Sequence, residues 1–322
     1  MYEKFYGFNQ DPFRMSPDPA FYYATARHNE ALANLTYGVL MQKGLIVLTG
    51  EVGTGKTLLV RCLLETLSRS RVTHAYIFNP VLSADDLLRT ILTDFGIREV
   101  KQTRAEMLQQ FNEHLIDAYR RGGITALVID EAHLLAPALL EEIRLMTNVE
   151  TSKHKLLQIV LVGQPELDLS LDSPELRQVK QRVALRYSLE PLADMEVRGY
   201  INRRLEVAGA PGRLLQIFPP PTLARILHYA HGIPRLVNTI CDSALLNGYG
   251  RQAKSITPAM IEEVVTDLRL NLKNSTPKTS GTPMPPEEDT SRKTLIATLL
   301  RLARLLERGQ AAEDEKSQGV AG

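Results

Sequence analysis

GLIVLTGEVGTGKT, residues 44–57, runs from a β-branched apolar segment directly into three glycines and a lysine. The first half reads as a buried strand. The second matches G-x-x-x-x-G-K-[ST], with Gly50, Gly55, Lys56 and Thr57 at the fixed positions and Glu51, Val52, Gly53 and Thr54 between them. A turn of this kind can be a bare strand-to-helix connection. Here a strand precedes it and a helical pattern follows from Lys56 and Leu58, the context that a phosphate cradle requires. Glycines let backbone N–H groups close on phosphate oxygens, and the helix N-terminus adds the positive end of its dipole. Lys56 is then expected to reach the β- and γ-phosphates of a nucleotide, and Thr57 to ligate Mg2+.

Outward from this stretch, three more apolar runs have the same character: HAYIFNP (74–80), TALVIDEAH (125–133) and QIVLVGQP (158–165). RVALRYSLEPL (182–192) alternates and reads as an edge strand. Helical patterns at 56–70, 84–95, 104–121 and 137–149 separate the runs. Strands alternating with helices predict an α/β fold with a parallel sheet covered on both faces, and strands buried on both sides read as continuous apolar runs. After Pro191 the pattern changes to four helical segments bounded by Gly or Pro, which predicts a small all-helical domain at 193–271. NSTPKTSGTPMPPEEDT (274–290) has the composition of a linker. RKTLIATLLRLARLLERG (292–309) sets a leucine face against basic residues, the pattern of an amphipathic helix that docks on protein or on a membrane surface. A polar tail at 310–322 is expected to be disordered.

The second half of a nucleotide site is expected in TALVIDEAH. Asp130 ends an apolar strand, where ligands of open α/β sheets bind, and would hold the Mg2+ shell. Glu131 would orient and polarise an attacking water. His133 completes the string D-E-A-H, which some helicases carry. No other helicase motif is evident, and a histidine after a strand reads as structural. Gln164 follows the strand in QIVLVGQPEL and could hold the water near the γ-phosphate, or be an ordinary loop residue. LRQVKQRVALRY carries Arg177, Lys180, Arg182 and Arg186, either a solvated basic face or the source of an arginine that reaches a neighbouring subunit. Arg235, in HGIPRLVN, starts a helix of the small domain.

The chain has 322 residues, 44% hydrophobic and 23% charged, with a formal net charge of +1. That balance gives no global field for nucleic acid or an acidic membrane, so any such contact must use a local patch. Cys62 and Cys241, the two cysteines, sit within apolar helical patterns without metal or redox spacing, as in a reducing cytosol. MYEKFYGFNQDPF at the start lacks the features of a signal peptide, and no uninterrupted apolar run is long enough to cross a bilayer. A cytoplasmic protein, at most peripheral at the inner membrane, is expected.

Taken together, MYEKFYGFNQDPFRMSPDPAFYYATARHNEALANLTYGV, GLIVLTGEVGTGKT, VIDEAH, LVGQPEL, LRQVKQR and GIPRLVN resemble the ExeA/GspA-like AAA+ ATPases of bacterial secretion systems, over roughly residues 1–270. The resemblance implies an AAA+ module with a five-stranded parallel sheet over 1–192 and a helical lid over 193–271, followed by a linker at 272–291. It implies ATP as the nucleotide, with Mg2+, and ATP-dependent homo-oligomers. It puts Gln164 at the sensor-1 place, Arg235 at the sensor-2 place and Arg182 at the arginine-finger place, with Arg177 as the other candidate. It places PFRMSPDPAFYYATARHNEAL near the adenine. Longer members continue into a membrane span and a peptidoglycan-binding domain, neither of which is in this sequence, so an envelope role is expected to pass through a protein partner. The expected function is an ATP-hydrolysing motor or switch in envelope secretion or assembly. The alternative is a DNA-associated regulator like the TnsC- and MuB-type transposition ATPases, which the weak net charge disfavours.

Overall fold

The computed structural model describes residues 1–151 and 154–270. The expected linker at 272–291, amphipathic helix at 292–309 and tail at 310–322 lie outside the described residues.

The apolar runs become β1 (Leu45–Gly50), β2 (Val72–Ile77), β3 (Ile124–Ile129) and β4 (Leu157–Gly163), and the alternating run becomes β5 (Val183–Leu189). The sheet order is β2-β3-β4-β1-β5, with every neighbouring pair parallel. β5 lies at the edge, as its alternation predicts. Parallel neighbours need crossovers. These are α3 (Lys56–Ser68) after β1, α4 (Ala84–Asp94) and α5 (Arg104–Arg120) after β2, α6 (Pro137–Met146) after β3, and α7 (Pro165–Leu171) with α8 (Arg177–Lys180) after β4. α1 (Tyr2–Tyr6) and α2 (Ala26–Leu40) precede the sheet.

The two-residue side-chain period of a strand divides the core into two layers. Leu45, Val47, Leu127, Ile129, Ile159 and Leu161 face one way, onto Leu88 and Ile91 of α4 and Phe111 of α5. Ile46, Leu48, Ala126, Val128, Val160 and Val162 face the other, onto Leu35 of α2 and Leu59 and Leu63 of α3. The central strands β1 and β4 are buried along their whole length. That rigid floor carries the loops at the strands' C-terminal ends.

A third core belongs to the helices α9 (Asp194–Val207), α10 (Leu214–Ile217), α11 (Pro220–Ala230), α12 (Pro234–Gly250) and α13 (Pro258–Asp267). The start of the chain, expected with residues 1–192, puts its aromatics here: Tyr2, Tyr6, Phe8 and Phe13 join this core and not the sheet's. Specific bonds hold them. The Tyr6 hydroxyl donates to the Ala253 carbonyl at 2.8 Å. Buried Arg204 on α9 donates to the carbonyls of Pro12 at 2.8 Å and Arg14 at 3.2 Å, and its guanidinium lies 5.0 Å from the Phe21 ring centroid. Tyr6 and Phe13 are fully buried, each worth roughly 1.5–3 kcal/mol of transfer free energy. The chain thus crosses from the helical core to the sheet before β1, then returns at Leu192, whose N–H donates to the Gly232 carbonyl at 2.8 Å.

Candidate nucleotide-binding site

The loop Glu51–Thr54 and the first turn of α3 form a cradle whose backbone only glycine fits. Gly53 and Gly55 have φ of +82° and +104°, in the left-handed region that a side chain disfavours. A Cβ at Gly50 would lie 2.6 Å from the Leu189 carbonyl oxygen, and one at Gly53 would lie 2.7 Å from the Arg235 Cβ. Into this cradle folds Lys56, buried, its ammonium donating to the carbonyls of Gly50 at 2.7 Å and Glu51 at 2.9 Å. Burial pushes its pKa down against the opposing pull of Glu131, Asp130, Glu51 and Glu166. A desolvated ammonium held only on backbone carbonyls at a helix N-terminus can exchange them for a phosphate. These residues fit a nucleotide's phosphates.

Asp130 follows β3 and is fully buried. Its Oδ2 accepts from the hydroxyls of Thr57 at 3.0 Å and Tyr76 at 3.1 Å, and its Oδ1 accepts from the N–H of Glu131 at 2.9 Å. Thr57 and Asp130 therefore meet in one place, as their motif positions predict. Among the described residues no group of three or more His, Cys, Asp or Glu side chains is clustered for a metal. A Mg2+ ion at Thr57 and Asp130 would take its other ligands from phosphate oxygens and water.

Glu131 sits at φ +53°, ψ +34°, a left-handed conformation for a non-glycine residue. Strain of this kind collects at functional sites. Its carboxylate lies 3.4 Å from His133 Nδ1. His133 Nε2 in turn lies 2.9 Å from the side-chain nitrogen of Gln164.

Glu131, Gln164, Lys56, Thr57, Leu58, Val52, Gly53, Thr54, Gly55 and Arg235 line one cleft of about 590 Å³ between the sheet's C-terminal edge and the helical unit. That volume suits a nucleotide-sized ligand. The far wall includes Met15, Ser16, Pro17, Tyr22 and Tyr23, part of the segment that the resemblance placed near adenine. Arg235 starts α12 and reaches the cradle through its backbone: its N–H donates to the Gly53 carbonyl at 3.2 Å.

Arg182 is not in the cleft. It precedes β5, whose Val183 pairs with Leu45 at the opposite end of β1 from the cradle, so the length of the strand, about 20 Å, separates them. In the basic cluster, Lys180 and Arg186 are tied to Asp172 at 3.1 Å each, whereas Arg177 and Arg182 make no ion pair among the described residues.

Three further cleft-lining residues are assigned no role by the motifs, although His28 lies in the segment that the resemblance placed near adenine. His28 is buried, bonded to Thr25 Oγ1 at 2.8 Å and to the Thr54 carbonyl at 3.3 Å, so it props the cradle from α2. Burial lowers its pKa. Tyr76 enters from the neighbouring strand, and Arg204 from α9. The sole signal for Tyr76 is a hydroxyl-bearing residue in a strand beside the one that ends in Asp130.

Fold and cleft together have the form of an AAA-type P-loop fold, and residues 39–171 match the AAA domain family. The chain is related to general secretion pathway protein A of Aeromonas hydrophila, 43% identical over 257 residues, which is 80% of this chain and 46% of that protein. It thus spans less than half the length of that relative. The ORC2 protein of Aeropyrum pernix, solved as ADPNP-ADP complexes, superposes with a TM-score of 0.61 at 16% identity, covering 81% of this chain and 72% of that one. Cdc6p of Pyrobaculum aerophilum superposes with a TM-score of 0.60 at 22% identity, covering 78% and 71%. At these identities the likeness is one of fold. Among the described residues no helix is long and apolar enough to cross a membrane.

Proposed function

We propose that this chain binds ATP with Mg2+ in the cleft and hydrolyses it, serving as a switch or motor for secretion or assembly in the bacterial envelope. The observation that carries the reading is that Glu131 and Gln164, from the ends of two adjacent strands, line the same cleft as Lys56 and Thr57. Lys56 would leave the loop carbonyls to pair with the β- and γ-phosphates. Thr57 and Asp130 would hold Mg2+, directly and through water. The ion, when bound, neutralises charge on the phosphate oxygens. Glu131 would orient the attacking water and accept its proton. Gln164 would donate to the terminal phosphate, and Arg235 would bring the helical unit onto the nucleotide.

Arg182 lies away from its own cradle, so a nucleotide that it serves would be a neighbouring subunit's, in an ATP-dependent homo-oligomer. The envelope assignment rests on the relationship to general secretion pathway protein A. It implies a protein partner in that machinery. Isothermal titration of ATP into the wild-type protein and the Lys56→Ala variant, with Mg2+ present, tests the site. Wild-type binding with at least about a tenfold loss in the variant is expected, because about 1.4 kcal/mol per decade is a modest share of a buried charge pair. Equal binding by both would remove the reading.

A further inference from the structure

The phosphate cradle stands at one end of the sheet, and the opposite end carries a row of basic side chains. α2, α3 and α5 finish there, and the chain turns from them into β1, β2 and β3. The connections are MQKG (41–44), RSR (69–71) and RGG (121–123), and Arg120 closes the last turn of α5. Lys43, Arg69, Arg71, Arg120 and Arg121 are all exposed. The three connections hold no acidic residue. The Ile124 N–H donates to the Arg71 carbonyl at 2.9 Å, so the two arginine connections lie side by side. Lys43, ahead of β1, stands three strand spacings from β2, about 14 Å.

Acidic neighbours offset little of this charge. Asp117 lies 3.6 Å from Arg120, and its backbone carbonyl accepts from Arg121 Nε at 3.1 Å. Glu65 is one turn before Arg69 on α3. Lys155, ahead of β4, is tied to Glu150 at 2.9 Å. Lys43, Arg69, Arg71 and Arg121 make no ion pair among the described residues. One basic residue at a helix C-terminus answers the helix dipole. Two at the ends of both α3 and α5 exceed that need. The chain has 38 Lys and Arg against 37 Asp and Glu, so a basic end means separated charge rather than excess charge. The cradle end supplies the opposite sign, with Glu51, Asp130, Glu131 and Glu166 gathered about Lys56.

Apolar tips stand among these cations. Met41 is 46% and Tyr119 38% exposed, and the Tyr119 ring centroid lies 6.4 Å from that of His154, in the connection to β4. A nucleic-acid backbone would meet the arginines and leave both tips in water. A phospholipid headgroup layer takes cations and amphipathic tips together. We propose that this end of the sheet docks on an acidic phospholipid surface, with the nucleotide cleft held away from it by the length of the strands, about 20 Å. The inference stands on the fold and its charges and does not use the ATP reading of the cleft.

The test is flotation of the full chain with vesicles. Mixed phosphatidylglycerol and phosphatidylcholine is compared with phosphatidylcholine alone, at about 50 mM and about 300 mM salt, where screening differs strongly. Each basic residue near an acidic bilayer contributes roughly fivefold in partitioning. The wild-type protein is expected to float with the acidic vesicles at the lower salt and to be released at the higher. Arg71→Glu/Arg121→Glu is expected to partition at least about tenfold more weakly. Arg71→Gln/Arg121→Gln is expected to fall between the two, and it carries the test if thermal melting shows that the reversed variant does not fold. Arg198→Glu/Arg225→Glu, an equal change of charge on the helical unit, is expected to lose much less. Equal flotation with neutral vesicles, no flotation with acidic ones, or equal losses in the two reversed variants overturns the proposal. Duplex DNA binding that depends on Arg71 and Arg121, without such dependence for vesicles, assigns the face to nucleic acid and overturns it too. Failure of the wild-type protein to bind ATP would remove the proposed function and leave this surface standing.

Discussion

Arg235 lies directly over Gly53: its backbone N–H bonds the Gly53 carbonyl at 3.2 Å, and a Cβ on Gly53 would come within 2.7 Å of its own Cβ. The helical unit is therefore seated on the cradle by a contact that only glycine permits. Gly53→Ala is expected to push α12 away and to add the strain of a left-handed alanine, about 1–2 kcal/mol. Nucleotide affinity should fall by roughly tenfold, since about 1.4 kcal/mol is a factor of ten. Gly122 has a similar φ of +72° with nothing within 4 Å of its Cβ position, so Gly122→Ala isolates the strain. It should lower the Tm but leave nucleotide affinity unchanged. Titration of ATP into both variants reads the difference.

His28 gives the protein an acid-side weakness at the cradle. Burial lowers its pKa below the ordinary 6.5, partly offset by its bond to the Thr54 carbonyl and by the charge of Glu196. The unfolded chain then takes up a proton at this site before the folded one does. Stability is full above about pH 6.5 and declines as pH falls through the lowered value. His28→Gln removes that titration while keeping a donor for the Thr54 carbonyl. Thermal unfolding at pH 7.5 and pH 5 should show a smaller drop in Tm for the variant than for the wild type. Equal drops would mean that His28 takes up its proton in the fold without cost.

Arg182 stands at the far end of β5 from its own cradle and without an ion-pair partner among the described residues. Hydrolysis is expected to fall by roughly 10³-fold or more in Arg182→Ala if it completes a neighbour's site, the range found for arginine fingers. Mixing Arg182→Ala with Lys56→Ala subunits should restore part of the activity, because one type of interface then pairs an intact arginine with an intact cradle. Phosphate release by the mixture measures this. Activity strictly proportional to concentration, with a monomeric mass in ATP, would contradict it.

The strands, their parallel arrangement and the cradle were legible because each rests on a local pattern: a buried parallel strand is continuously apolar, and a cradle needs glycines and a lysine at fixed spacing. The meeting of Thr57 with Asp130 was legible for the same reason, since both follow strands that end at one edge. What joins residues distant in sequence was not. Nothing in MYEKFYGF says that Tyr6 is to be capped by the Ala253 carbonyl, and nothing around His28 says that α2 passes beneath Thr54. His133 read as structural because its partners, Glu131 and Gln164, converge only when β3 and β4 pair side by side. Arg235 was placed by resemblance, and its bond to Gly53 depends on the docking of the helical unit.

Hydrolysis at Glu131 is the central claim, and one comparison tests it most directly: ATP binding and phosphate release by the wild-type protein and by Glu131→Gln. Glutamine keeps the shape but cannot accept the water's proton. The account predicts that the variant binds ATP as tightly as the wild type and releases phosphate about 10²–10⁴-fold more slowly, the usual contribution of a general base. Phosphate release by Glu131→Gln at the wild-type rate would contradict it.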